Sequence, residues 1–245
     1  LDVYVSDACL MQMMEVLYEA KDGVKYMVGS QEWEFAYGND YAALLSALKK
    51  NPGMDAPAFS GAFVTSYYES YRSTDVANRG VTLSAVDASK LDTLRQKLEE
   101  WAALAMETGN TYALKKARAK VLRFSPVITI GKDIHSSVYG DLADFITLYN
   151  AYARAQTPQE LELQRIGEDV VNFIRSEAVV ANGVTEGFLD LESGANGISI
   201  YIPMPNSNVA WASMETGLEN KYTDYKFGRE SKWAEFTLYL ERYAK

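Results

Sequence analysis

The first 29 residues constrain the fold more than any other stretch. Val3, Tyr4 and Val5 are β-branched or aromatic, in a run of the right length for a strand. Leu10, Met13, Met14 and Leu17 then recur at the spacing of one helical face, and every residue from 10 to 20 suits a helix interior. Lys21, Asp22 and Gly23 end that helix, and residues 24–29 (VKYMVG) read as a second strand. Strand, helix and strand in this order imply a parallel pair, which needs a sheet covered by helices. The expected fold class is therefore α/β.

Cys9, the only cysteine, falls at the joint between the first strand and the helix. Reactive groups collect at the carboxyl ends of strands in α/β proteins, and N–H groups at a helix start favour a thiolate. A lone cysteine is also commonly a small buried hydrophobe, and position alone does not choose between the two. Asp7 weighs toward chemistry. Alternate strand residues share a face, so Asp7 and Cys9 project the same way, roughly 6–7 Å apart. A carboxylate there is costly inside a core but suits a crevice that receives a cation.

Composition narrows the partners. The net charge of −9 disfavours nonspecific nucleic-acid binding and suits a basic peptide. At 245 residues and 48% hydrophobic the chain can bury a sizeable core, as one large domain or two small ones. No apolar run approaches the ~18 residues of a membrane span. No signal peptide is visible, but the chain does not begin with Met, so a removed upstream piece is expected. One cysteine and one histidine, His135, leave no thiolate zinc cluster and no histidine-rich metal site.

Further along, helices are expected over 41–50, 55–72, 87–108 and 111–122, then over 141–154, 158–175 and 233–243. Strands are expected over 81–86, 178–181 and 197–203, and residues 124–130 read as a strand or an ordered loop. Lys115, Lys116, Arg118 and Lys120 on the 111–122 helix fit a solvated face better than a nucleic-acid patch. Residues 1–80 would carry the nucleophile. Residues 81–245 would form an α+β portion packed on the same core. The loop after the second strand, residues 30–40, is polar and aromatic and reads as site-lining.

Several segments together resemble one family. Ser6-Asp7-Ala8-Cys9-Leu10-Met11, followed by Glu15-Val16-Leu17-Tyr18-Glu19, is similar to the nucleophile segment of the clostripain family of cysteine peptidases. That family shares a clan with caspases, gingipains and legumain. Tyr26-Met27-Val28-Gly29-Ser30-Gln31-Glu32 looks like the family's next strand and loop, and Gly38-Asn39-Asp40-Tyr41 like its turn, with Asn39 in place of the usual aromatic. Residues 83–87 (LSAVD), 139–145 (YGDLADF), 197–203 (GISIYIP) and 233–236 (WAEF) continue the match in order, so that it spans essentially the whole chain.

The resemblance implies a caspase-like fold: a mostly parallel sheet flanked by helices, with a helical and mixed C-terminal elaboration. Cys9 would be the nucleophile of an endopeptidase cleaving after Arg or Lys through a Cys-His dyad, forming an acyl-enzyme. Asp7 would be the acid of the S1 pocket, placed to pair bidentately with a guanidinium. Glu32, Glu34 and Asp40 would add a second acid to that pocket, or else are solvated and helix-capping. In this clan the histidine precedes the cysteine, so its bearer would be an upstream fragment of the same precursor. His135 follows Cys9 and reads as structural. Half of the oxyanion hole would be missing with that fragment, so the chain alone is expected to be inactive, either a product of self-processing or a truncated piece. Clostripain is associated with calcium, but no ligand spacing in this sequence locates a site. The family is largely bacterial and often exported, which implies a secreted or periplasmic location.

Two other classes compete with this. One is a noncatalytic caspase-like module whose cleft holds basic peptides; retention of both Cys9 and Asp7 argues for the enzyme instead. The other is an α/β redox or transferase domain, against which stands the lack of CxxC, GxGxxG and P-loop motifs.

Overall fold

The computed structural model describes residues 1–72, 80–124, 128–130, 133–135, 138–186, 194–204 and 221–244; of 128–130 and 133–135 it describes the backbone. The β-α-β unit is present as β1 (Val3–Val5), α1 (Met14–Ala20) and β2 (Tyr26–Gly29). Then come α2 (Tyr41–Lys50), α3 (Ala56–Arg72), β3 (Thr82–Asp87), α4 (Leu91–Thr108) and α5 (Thr111–Lys120). The antiparallel pair β4 (Ile128–Ile130) and β5 (Asp133–His135) is followed by β6 (Tyr139–Asp141), α6 (Leu142–Ala153) and α7 (Pro158–Phe173). The chain closes with β7 (Val179–Val184), β8 (Ser199–Tyr201), α8 (Lys226–Glu230) and α9 (Trp233–Tyr243).

The main sheet has the order β1-β2-β3-β7. β1 and β2 are parallel, with Val3 opposite Tyr26 and Val5 opposite Val28. β3 is antiparallel to both its neighbours, so β1, β2 and β7 run one way and β3 against them. Side chains alternate across the sheet. Met27 and Val86 enter the larger core with α1, α4, α6, α7 and α9, whereas Val28, Leu83 and Ala85 meet Leu44, Phe63, Val64, Tyr67 and Tyr71 of α2 and α3. Helices therefore cover both faces, as a parallel β-α-β unit requires.

Each long helix buries one stripe. In α4 the buried residues are Leu91, Leu94, Leu98, Trp101, Ala102 and Ala105, and the helix ends on Gly109 in the left-handed conformation (φ +64°). Trp101 sits edge-on to Phe145, Tyr149 and Phe236, with centroids 5.4–5.9 Å away, joining α4, α6 and α9 in one core. α7 opens with a capping box between Thr157 and Glu160.

Three local expectations change. The 197–203 stretch forms only the short strand β8, paired with β6 outside the main sheet. Arg118 does not lie on the solvated face of α5. It is buried, and its guanidinium donates to the carbonyls of Pro203, Met204, Leu240 and Ala244, tying α5 to the end of α9. The helix expected from residue 10 begins at Met14. Residues 10 and 12 bond instead to the loop after β2, Leu10 N–H to Glu32 O and Gln12 N–H to Ser30 O, with Leu10 left-handed at φ +60°. Of the 124–130 stretch, residues 125–127 lie outside the described residues, as does the side chain of His135.

Candidate active site

The carboxyl ends of β1 and β2 meet at one edge of the sheet, and the loops leaving them are stitched together. Besides the two backbone bonds just named, the buried Gln12 side chain donates to the carbonyls of Met27 (3.3 Å) and Ser84 (3.0 Å). The Thr82 hydroxyl of β3 accepts the Gln31 and Glu32 N–H groups, at 3.1 and 3.0 Å. Gln31 in turn donates to Asp141 (3.0 Å) and accepts the Gly197 N–H (2.9 Å). Asp141 also receives the Asp144 N–H and both nitrogens of Asn196. Four donors hold this fully buried carboxylate, yet burial still pushes it up to about 6. The loop carrying Cys9 and the loop of residues 30–34 thus rest on a polar framework rooted in β3 and α6.

Cys9 is exposed. Because α1 begins only at Met14, five residues later, its N-terminus does not serve the thiol. The Glu34 N–H does, donating to Sγ at 3.4 Å, while the Glu34 carbonyl lies 3.9 Å from the same sulfur. Glu34 therefore holds Cys9 through its backbone and faces Asp7 with its side chain. Both of its carboxylate oxygens are closed off from solvent and have no hydrogen-bond partner. Burial pushes the Glu34 carboxyl up to about 8, and the adjacent Asp7 carboxylate pushes the same way, without a well-formed hydrogen bond between the two.

Asp7 is exposed and accepts the Tyr41 hydroxyl at 3.0 Å. Gly38 passes beside it in the left-handed conformation (φ +65°), where a Cβ would come within 3.6 Å of the carboxylate. The Tyr71 hydroxyl holds the Gly38 carbonyl at 2.9 Å, and the Tyr71 ring stacks on Phe35. Tyr67 is fully buried, and its hydroxyl has no partner. Among the described residues no lysine or arginine pairs with Asp7 or Glu34.

Of the residues singled out from sequence, the structure brings Cys9, Asp7 and Glu34 together. Asp40 is committed elsewhere, accepting the Ala43 N–H at 2.9 Å as the N-cap of α2. Glu32 turns back to the Trp33 N–H. Tyr41, Tyr67 and Tyr71 were not singled out. The sequence shows Tyr67, Tyr68 and Tyr71 in the 55–72 helix, but not which of these rings face the site. Among the described residues no three His, Cys, Asp or Glu side chains are grouped to hold a metal ion.

The model of the clostripain family matches residues 1–242. The chain belongs to the clostripain family. It is therefore a member of a family of cysteine proteases, which are hydrolases. A solved cysteine protease of B. fragilis is similar over 96% of this chain and 89% of its own, at 20% identity and a TM-score of 0.59. A clostripain from Bacteroides thetaiotaomicron, solved with the peptide inhibitor BTN-VLTK-AOMK, is 16% identical over 94% of this chain and 87% of its own, with a TM-score of 0.56. An inactive zymogen C11 protease from Parabacteroides distasonis is 18% identical over 94% of this chain, which spans 58% of that one (TM-score 0.56). No curated protein matches the chain. At these identities the structures establish the fold, the α/β architecture of C11 cysteine proteases.

Proposed function

We propose that this chain is the cysteine-bearing catalytic portion of an endopeptidase that cleaves after arginine or lysine. The observation that carries the reading is the Asp7–Glu34 pair beside the exposed Cys9 thiol, acidic and without a cation of its own among the described residues. A basic side chain seated against Asp7 sets its own backbone carbonyl near Cys9. Sγ then bonds to the carbonyl carbon, the C–N bond breaks, and a histidine carries the proton to the leaving amine. Water afterwards hydrolyses the thioester. The resemblance assigns that histidine to residues N-terminal to Leu1, and no imidazole lies beside Cys9 among the described side chains.

An extracellular or periplasmic location and self-processing upstream of the cysteine belong to the same proposal. The first is supported by a Bacteroides thetaiotaomicron relative described as a secreted C11 protease, and the second by the relative described as a zymogen. No helix among the described residues is long and apolar enough to cross a membrane. The test is to combine the chain with the segment that precedes it in its gene and assay arginyl and lysyl peptides. Cleavage that disappears with Cys9→Ala is expected. Binding of basic peptides with no cleavage would favour the noncatalytic module.

A further inference from the structure

Resting on the reading of Asp7 as the S1 acid, we propose that Glu34 holds a proton while that pocket is empty and releases it to solvent when a cationic side chain enters. Glu34 and Asp7 are adjacent carboxyl groups, and Glu34's two oxygens are buried without a donor. The groups around the Glu34 carboxyl are Asp7 from the loop after β1, Tyr41 from α2, and Tyr67 and Tyr71 from α3, while the Cys9 thiol sits on its backbone. None is basic. Two charges of one sign this close, in a half-buried site, do not both persist. The unpartnered Tyr67 hydroxyl, on a fully buried side chain, is a second polar group left without a partner at the same place.

The tyrosines do not take the role of proton donor. The hydrogen bond to Asp7 holds the Tyr41 hydroxyl above its ordinary value, and burial with the nearby carboxylates does the same for Tyr67 and Tyr71. Glu34 is pushed up to about 8 and thus keeps its proton at neutral pH. A guanidinium entering the pocket brings five N–H donors and a fixed positive charge. An opposite charge within ~4–6 Å lowers a carboxyl by about 1–3 pH units, enough to ionise Glu34 near neutrality. The proton passes to water, no covalent bond changes, and the ionised Glu34 gains the donors it lacks. Affinity for a basic side chain then climbs with pH until Glu34 ionises unaided.

The test compares alkylation of Cys9 by an arginyl and a norleucyl chloromethyl ketone between pH 6 and 9. Both reagents need the same thiolate, so the ratio of their rate constants cancels the titration of Cys9 itself. The ratio is expected to exceed one and to rise by about tenfold per pH unit before levelling near pH 8. In Glu34→Gln it is expected to be flat. Calorimetry of arginine amide binding at pH 7, in two buffers of different ionisation enthalpy, should show about one proton released by the native chain and none by the variant. A ratio above one but independent of pH in the native chain, with no proton release, overturns the proton exchange and leaves the S1 reading intact. A ratio near one at every pH overturns both.

Discussion

At the scale of single residues, backbone decides which of several acids lies beside the thiol. Asp7, Glu32, Glu34 and Asp40 all lie within the two loops of the site, and composition cannot rank them. The structure ranks them by where their oxygens go: Asp40 to a helix cap, Glu32 to the next amide, Glu34 toward Asp7. Cys9 and Asp7 stand out in the sequence because they lie close together just past a strand; β1 ends at Val5, however, so both sit in the turn beyond it, where strand alternation does not apply. The role of Glu34 does not stand out, since it depends on a loop 25 residues away folding back so that its N–H reaches Sγ. Asp7→Asn is expected to slow alkylation of Cys9 by an arginyl reagent by roughly 30- to 1,000-fold, the cost of about 2–4 kcal/mol for a lost charge partner. Labelling by the norleucyl reagent should stay within about threefold. Parallel loss with both reagents would mean that Asp7 supports the loop and not the substrate.

At the scale of elements, periodicity gave most helices within two residues and failed where tertiary bonds outcompete it. Leu10 and Met13 fit the stripe that continues into α1, but the N–H groups of residues 10 and 12 are taken by the loop after β2. Gln12, a polar residue within the same segment, is the visible trace: its amide ties the segment to β2 and β3. Asp141 does the same for α6, combining an N-cap with the junction to Gln31 and Asn196. Asp141→Asn would set an amide NH₂ against several donors. It is expected to lower unfolding stability by about 2–4 kcal/mol, read as a shifted urea midpoint at unchanged slope. An unchanged midpoint would show that the junction is not a framework.

Across the whole molecule the buried carboxyl groups set the pH response. Glu15, Glu34 and Asp141 are all raised in the folded protein, chiefly by burial. The folded state therefore binds their protons more tightly than the unfolded chain does. Their contribution to stability is full below the ordinary carboxylate range and is lost as pH rises, through about 6 for Asp141 and about 8 for Glu34. Surface Asp22, Asp92 and Glu160, lowered by hydrogen bonds to lysines or to backbone N–H groups, act oppositely and withdraw stability as pH falls below their ordinary values. Thermal unfolding should thus peak in mild acid and decline from pH 6 to 8, with the upper part of that decline missing in Glu34→Gln. A melting temperature rising from pH 6 to 8 would contradict this. The α/β class was legible from the opening β-α-β unit. The reversed direction of β3 and the departure of β8 to a separate pair were not, because strand periodicity carries no direction and no partner.

The most direct test of the account is a mass-resolved competition for Cys9 between an arginyl and an aspartyl chloromethyl ketone. The account predicts a single adduct, located on Cys9, with the arginyl reagent at least about 100-fold faster, as an acidic pocket repels the aspartyl group and attracts the guanidinium. Equal rates for the two reagents, or an adduct on any other residue with Cys9 left free, would contradict it.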